Sequence, residues 1–292
     1  MRVTNQMMST TYLKDLNKNL NNLNTLNKQL TTGKEISKPS DNPFKTARIM
    51  QMYSDISANK QYNENIKDTI NWLDTTDVAL EQIGNSAQRI RELMVSAGNA
   101  SYGSDEKNAL KEEINEKINE IAQVLNTNYD GKYIFGGTKS LSKPVGVEKD
   151  SNGNNILVFK DDNGNSFNEE GKAYIKNADG TITRDANGNL AVEANPKPEY
   201  EKLLNQMNAN LSVEVSNGVN MNYNVGTPSI LTLKNGNNVM KLLNDVVNNL
   251  DKVDSSDVIK GNLEEMDLFV SNVSSIRGEV GAKQNRMDSA KT

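Results

Sequence analysis

Apolar residues recur at alternating three- and four-residue intervals over two long stretches of the chain, one at each end. In the first, Leu13, Leu16, Leu20, Leu23 and Leu30 hold one face, with Asn27 in the slot between the last two. This is a heptad seam with a single polar interruption, the pattern of a coiled coil. Residues Gly33 to Asp41 break the pattern, and Asn42 before Pro43 predicts a helix N-cap with proline in the first helical position. A second seam runs through Ile49, Met52, Ile56, Ile66, Ile70, Leu73, Leu80 and Ala87, with Asn59, Asn63, Asp77 and Gly84 in the intervening slots, and continues to about Ala97. Fifty-odd helical residues span roughly 80 Å, so the pattern predicts a rod. Gly98, Gly103 and Ser104 predict a turn and a new N-cap, Asp105 and Glu106 suit the first turn of the next helix, and Leu110, Ile114, Ile118, Ile121 and Leu125 form a third seam. At the other end Ile259, Leu263, Met266, Val270, Val273, Val280 and Met287 keep the spacing, with Arg277 and Gln284 in slots that should be apolar. No Gly, Pro or polar tail marks a stop before Thr292.

Between the periodic ends the pattern changes to short β-type runs separated by Asn-Gly and Asp-Gly pairs. The form Asp-x-Asn-Gly-Asn occurs at Asp150, Asp161 and Asp185. Asn-Gly is a strong hairpin signal because both residues accept positive φ. The runs Ile156–Lys160, Ala173–Lys176, Thr181–Arg184, Leu190–Glu193 and Leu211–Val215 read as strands, with Asp179-Gly180 as a further turn and a short helix over 199–208. The expected class is therefore mainly α with an inserted β-rich domain, the helices forming an elongated antiparallel rod. The expected partition is 1–42 (helix and connector), 43–140 (rod), 141–234 (β-rich insert) and 235–292 (returning rod).

Composition narrows the chemistry. The 292 residues include no His and no Cys, which removes thiol nucleophiles, disulfides, Ser–His pairs and zinc sites built on these ligands. Hydrophobic residues are 35%, roughly 41% with the 19 Gly, below the usual ~45–50%. Such a chain suits thin helical assembly better than a thick core. The net charge of −5, with no basic stripe, disfavours nucleic acid as a partner. No run of 18 apolar residues exists to span a membrane, and Met1 to Thr11 has no apolar h-region, so no cleaved signal peptide is expected. The Asp-x-Asn-Gly-Asn segments place Gly too early for a calcium loop and read as turns. Glu112, Glu113, Glu116 and Glu120 alternate with Lys111 and Lys117 and read as a solvated face, and Gly136-Gly137 lacks the spacing of a phosphate loop. Trp72 reads as a core-edge aromatic. No enzyme, cofactor or metal is expected. The first seam is too narrow to bury itself and needs a partner helix.

Several motifs together resemble the flagellin superfamily. They are the opening Met1 to Met8, the stretch Leu30 to Pro43, the segment Gln88 to Val95, the run Tyr129 to Thr138, and Ile276 to Met287. The Phe135-Gly136-Gly137 form is similar to the hook–filament junction members of that superfamily more than to filament subunits. The resemblance implies a structural subunit of the bacterial flagellum, exported without a cleaved signal and polymerising as a ring. Implied partners are the first hook-associated protein, flagellin and the export machinery. It also implies an inner-tube helix carrying the Leu13–Leu30 seam, its pairing helix lying beyond Thr292. By the matching motifs Asp41, Pro43, Arg89, Arg91 and Glu92 are candidate inter-subunit contacts. A filament subunit, or an adhesin-type rod binding through the insert, are the other readings left open.

Overall fold

A computed structural model describes residues 5–36, 38–40, 42–98, 103–185, 188–250 and 256–291. The chain divides into two compact units, residues 1–61 and 62–292.

The first unit holds helix α1 (Asn5–Thr32) and the start of α2 (Pro43–Ala97). α1 stops where Gly33 takes a φ of 64° and donates its N–H to the Gln29 carbonyl at 2.8 Å, a glycine C-terminal signal. α2 starts as expected: the Asn42 Oδ1 accepts the Lys45 N–H at 3.1 Å, and Pro43 is the first helical residue.

The second unit holds the remainder of α2 and, in chain order, α3 (Ser104–Leu125), β1 (Asn128–Tyr129), β2 (Lys132–Tyr133), β3 (Val145–Lys149), β4 (Asn155–Lys160), β5 (Ser166–Phe167), α4 (Pro198–Met207), β6 (Ser212–Ser216), β7 (Val219–Asn222), α5 (Thr227–Leu231), α6 (Val239–Leu250) and α7 (Ser256–Ala290). The strands make three antiparallel sheets, β1-β2, β3-β4-β5 and β6-β7. The expected strands at 173–176, 181–184 and 190–193 are single bridges instead: Tyr174 to Val192, Lys176 to Ile182 and Arg184 to Leu190. Turns every few residues leave too little length for a continuous ladder.

α2 and α7 run antiparallel, with Asp74 opposite Gln284, Asp77 opposite Arg277 and Arg91 opposite Asp267. The buried stripe of α2 is Ile66, Thr69, Leu73, Thr76, Leu80, Ile83, Ala87, Ile90, Met94 and Ala97. That of α7 is Met266, Phe269, Val273, Ile276, Val280 and Met287. The heptads are real, but alternate members sit one residue earlier than expected. Ile70 and Val270 are half-buried, and Asp77, Arg277 and Gln284 lie beside the seam rather than in it. Thr69 and Thr76 can occupy buried positions because their hydroxyls donate to the Asn65 and Trp72 carbonyls at 2.7 and 2.8 Å. The slot at 283 is taken by Lys283, whose ammonium reaches the Asn224 carbonyl at 3.3 Å. Ile49, Met52 and Ile56, expected in the same seam, are exposed. Ile259 lies on α7 with its side chain outside the described residues. The third seam holds, with Ile114, Ile118, Ile121 and Leu125 fully buried. The α3 N-cap is Gly103 with no side-chain hydrogen bond, and Ser104 is already helical.

One face of the β region joins the helices in a common core, where Val145, Leu157, Phe159, Phe167 and Met221 cluster with Leu73, Ile118 and Phe269, while Ile156, Val158 and Ile182 form a separate small cluster. Phe167 stacks on Phe159 at 5.7 Å and on Tyr200 at 4.5 Å. Gly137 shows why that core tolerates no side chain at one point. It has a φ of 57°, and a Cβ there would stand 2.4 Å from the Gln206 carbonyl oxygen and 2.5 Å from that of Met207. Gly137 thus marks a close backbone crossing with the end of α4, held by the Thr138 N–H to the Gln206 carbonyl at 2.9 Å.

The Asn-Gly turns differ in type from expectation. Asp150 N–H bonds to Asn154 O and Gly153 N–H to Asp150 O, both at 3.0 Å, and the same pairings recur from Asp161, Asn168, Asn177 and Asp185. Only the glycine takes positive φ, 83° at Gly153 and at Gly164; Asn152 and Asn163 do not. This is the three-residue loop with an αL glycine, not the two-residue turn with both residues at positive φ. In the third copy Ala186 and Asn187 lie outside the described residues.

Candidate functional site

α1 buries no residue. Leu13, Leu16, Leu20, Leu23 and Leu30 are 54%, 44%, 53%, 63% and 82% exposed, and Leu26, outside the expected seam, is 55% exposed. Phe44, Met50, Tyr53 and Ile56 on the first turns of α2 are equally open. Of the 21 large hydrophobic residues exposed among the described ones, 15 lie in residues 1–61. A helix draws most of its stability from packing an apolar face. Leaving six leucines in water is therefore the mark of a surface awaiting a partner.

The α2 segment around Arg89 is arranged differently from that surface. Arg89 meets Glu113 on α3 at 2.7 Å and Glu92 one turn on at 3.2 Å. Arg91 pairs with Asp267 on α7. These side chains, expected at a subunit boundary, tie three helices of one chain together while remaining a third to a half exposed. Their partners Glu113 and Asp267 carry no local sequence signal; only the fold brings them near. Pro43 is exposed at the start of α2, beside the connector ion pair Lys45–Glu35 at 2.9 Å. Asp41 lies outside the described residues.

The acidic repeats are occupied by their own turns. Asp161 accepts the Asn163 and Asn165 N–H groups at 2.8 and 2.7 Å and the Asn165 side-chain amide at 2.8 Å. Among the described residues no three acidic side chains gather as a metal site requires, and no helix is long and apolar enough to cross a membrane.

Residues 3–140, covering α1, the connector, α2, α3 and the first hairpin, match the model of the bacterial flagellin N-terminal helical region. This part of the chain is similar to the flagellin N-terminal region. The curated relatives agree: flagellin of Salmonella paratyphi A is 29% identical over 145 residues, 49% of this chain and 29% of that protein. Phase 1 flagellin of Salmonella naestved is 29% identical over 134 residues, 46% of this chain and 26% of that protein. The chain thus spans less than a third of the length of these flagellins. Solved structures extend a likeness of fold over most of the chain. A protein of Vibrio parahaemolyticus described as a flagellar hook-associated protein superposes with a TM-score of 0.62 at 18% identity, covering 87% of this chain and 92% of that one. FlgL of Bacillus cereus gives 0.54 at 19% identity, covering 84% and 94%. Flagellar hook-associated protein 3 of Legionella pneumophila gives 0.53 at 16%, covering 83% and 93%. At these identities the likeness is one of fold.

Proposed function

We propose that this chain is a structural subunit of the bacterial flagellum that joins hook to filament by polymerising as a ring outside the cell. The observation that carries the reading is the open apolar face of α1 at the head of a flagellin N-terminal region. The hook-associated character of the fold neighbours, together with the Phe135-Gly136-Gly137 run, favours the junction over the filament itself. In this reading residues 1–42 form an inner-tube helix and connector, 43–140 and 235–292 the rod, and 141–234 an outward β-rich part. Asp41, Pro43, Arg89, Arg91 and Glu92 meet neighbouring subunits. The first hook-associated protein and flagellin cap the ring on its two sides, and export proceeds without a cleaved signal.

The test is a double substitution, Leu16→Asp with Leu23→Asp, in a strain whose own copy is deleted. Because α1 contributes nothing to the core, thermal unfolding should stay within about 0.5 kcal/mol of the parent. Filament attachment should be lost and flagellin shed into the medium. Normal filaments on the variant would overturn the reading. The filament-subunit alternative is separated by copy number: a junction protein is a minor component of isolated filaments, a filament subunit the major one.

A further inference from the structure

A cavity of about 290 Å³ opens between α2 and two hairpins. Its α2 wall is Asn65, Asp68, Thr69 and Trp72, residues that share one helix face; the β1-β2 hairpin adds Tyr129, Asp130 and Lys132, and the β6-β7 region adds Ser212, Val213 and Tyr223. The volume sits at the bottom of the ~300–1,000 Å³ range of small-molecule sites, so it takes one ring-sized group.

The aromatic groups are set against each other rather than stacked. Trp72 meets Tyr129 at 5.9 Å and 79°, and Tyr223 at 5.7 Å and 89°, so the rings present walls at right angles. The two tyrosines are half-buried and Trp72 is 6% exposed. Around them the rim is polar and open: Asp68, Asp130, Lys132 and Ser212 are exposed, and their side chains form no hydrogen bond among the described residues. The Trp72 indole N–H is buried without an acceptor. A buried donor left unmade costs about 1–3 kcal/mol, and native structures seldom keep one without a reason. In the wall Asn65 is tied down by its amide to the Glu214 carbonyl at 3.1 Å, and Thr69 by its hydroxyl to the Asn65 carbonyl.

We propose that this cavity binds a single neutral sugar ring. A pyranose offers what the walls lack: an apolar C–H face for an aromatic ring, and hydroxyls for separate donors and acceptors. The rim carries one ammonium and two carboxylates, which suits a neutral polyhydroxy ligand better than an anion. A quaternary ammonium would use the same aromatic walls, but it would oppose Lys132 and leave the indole donor unserved.

Trp72 is the single tryptophan of the chain, so its emission reports this cavity directly. The full chain is titrated with methyl α-D-glucopyranoside, methyl α-D-galactopyranoside, methyl α-D-mannopyranoside and, separately, tetramethylammonium chloride. The expected result is a saturable change with at least one glycoside, weakened about tenfold by Asp68→Asn, the loss of one charged hydrogen bond. Asp68 is exposed, so that variant folds; Tyr223→Leu, checked by its unfolding curve, removes one wall and should abolish the response. Three results would overturn the proposal: no saturable response to any glycoside, a response unchanged in Asp68→Asn, or saturation by tetramethylammonium where the glycosides fail.

Discussion

Asp150 and Asp161 occupy the same position of the same five-residue turn, and their surroundings give them unequal weight. Each accepts the backbone N–H groups two and four residues on, at 2.9 and 2.7 Å for Asp150 and 2.8 and 2.7 Å for Asp161. Asp161 does nothing further with α6. Asp150 also meets Arg184 at 2.6 Å, with both side chains almost fully buried, and Arg184 donates on to Asn244 of α6 at 2.6 Å and to the Gly188 carbonyl. Removing Asp161 loses a turn cap in partial contact with water, while removing Asp150 strands a guanidinium in the core. Asp161→Ala should cost about 1 kcal/mol and Asp150→Ala about 3–5 kcal/mol in urea unfolding. Equal losses would show that Arg184 finds another acceptor and that the turn alone sets the value.

At the scale of the element, the antiparallel pair α2 and α7 shows what a heptad reading captures and where it slips. Every second seam position, Ile66, Leu73, Leu80 and Ala87 on α2 and Met266, Val273, Val280 and Met287 on α7, is apolar and is buried. At the alternate positions Ile70 and Val270 drew the pattern one residue late, because Thr69 and Thr76 do not look like core. Their burial depends on a hydroxyl bonding back along its own helix, which composition does not reveal. The slip placed Asp77 and Arg277 in the seam as two unrelated faults. They are one feature: Arg277 Nε and an Nη donate to the two Asp77 oxygens at 2.9 and 3.0 Å, with Glu81 at 3.3 Å, just outside the apolar stripe. A double-mutant cycle on Asp77→Asn and Arg277→Gln should give a coupling of about 0.5–1 kcal/mol, since both groups are about one-third exposed. It should shrink in 1 M salt. Zero coupling would mean that register is set by the apolar stripe alone. The open face of α1 was legible, Leu26 excepted, from its spacing and from the want of a second seam to match it. The sugar-sized cavity was not, because Trp72, Tyr129 and Tyr223 are far apart in sequence and only the two hairpins bring them to one wall.

At the scale of the whole molecule, acid-sensitive groups pull stability in opposite directions. Glu169 and Asp245 line a second cavity, where the β region meets α6, together with Tyr174, Met240 and Lys241. Burial pushes both carboxyls up from their ordinary values; Lys241 opposes the rise for both, as do Lys172 for Glu169 and Arg184 for Asp245, while Glu170 and Glu265 add to it. The neighbouring Tyr174 hydroxyl is also raised by burial, so it stays neutral throughout. Glu148 behaves otherwise. Burial alone would raise it, but hydrogen bonds from Lys160, Lys176 and Ser166 outweigh that and hold it below the usual range. The folded state binds protons more tightly than the unfolded state at Glu169 and Asp245, so stability grows as pH falls through their raised values toward about 4. At Glu148 the contribution is complete above the ordinary carboxylate range and is lost as pH falls through its depressed value. Unfolding free energy should therefore rise as pH falls from 7 toward the ordinary carboxylate range of about 4 and fall below it. Glu169→Gln with Asp245→Asn should flatten the rise and leave the acid-side fall in place; Glu148→Gln should lower stability at pH 7 and weaken the fall. A rise that survives in the Glu169→Gln, Asp245→Asn variant would place its origin outside this cavity. The contact between α6 and the β region would then be no tighter at pH 5 than at pH 7.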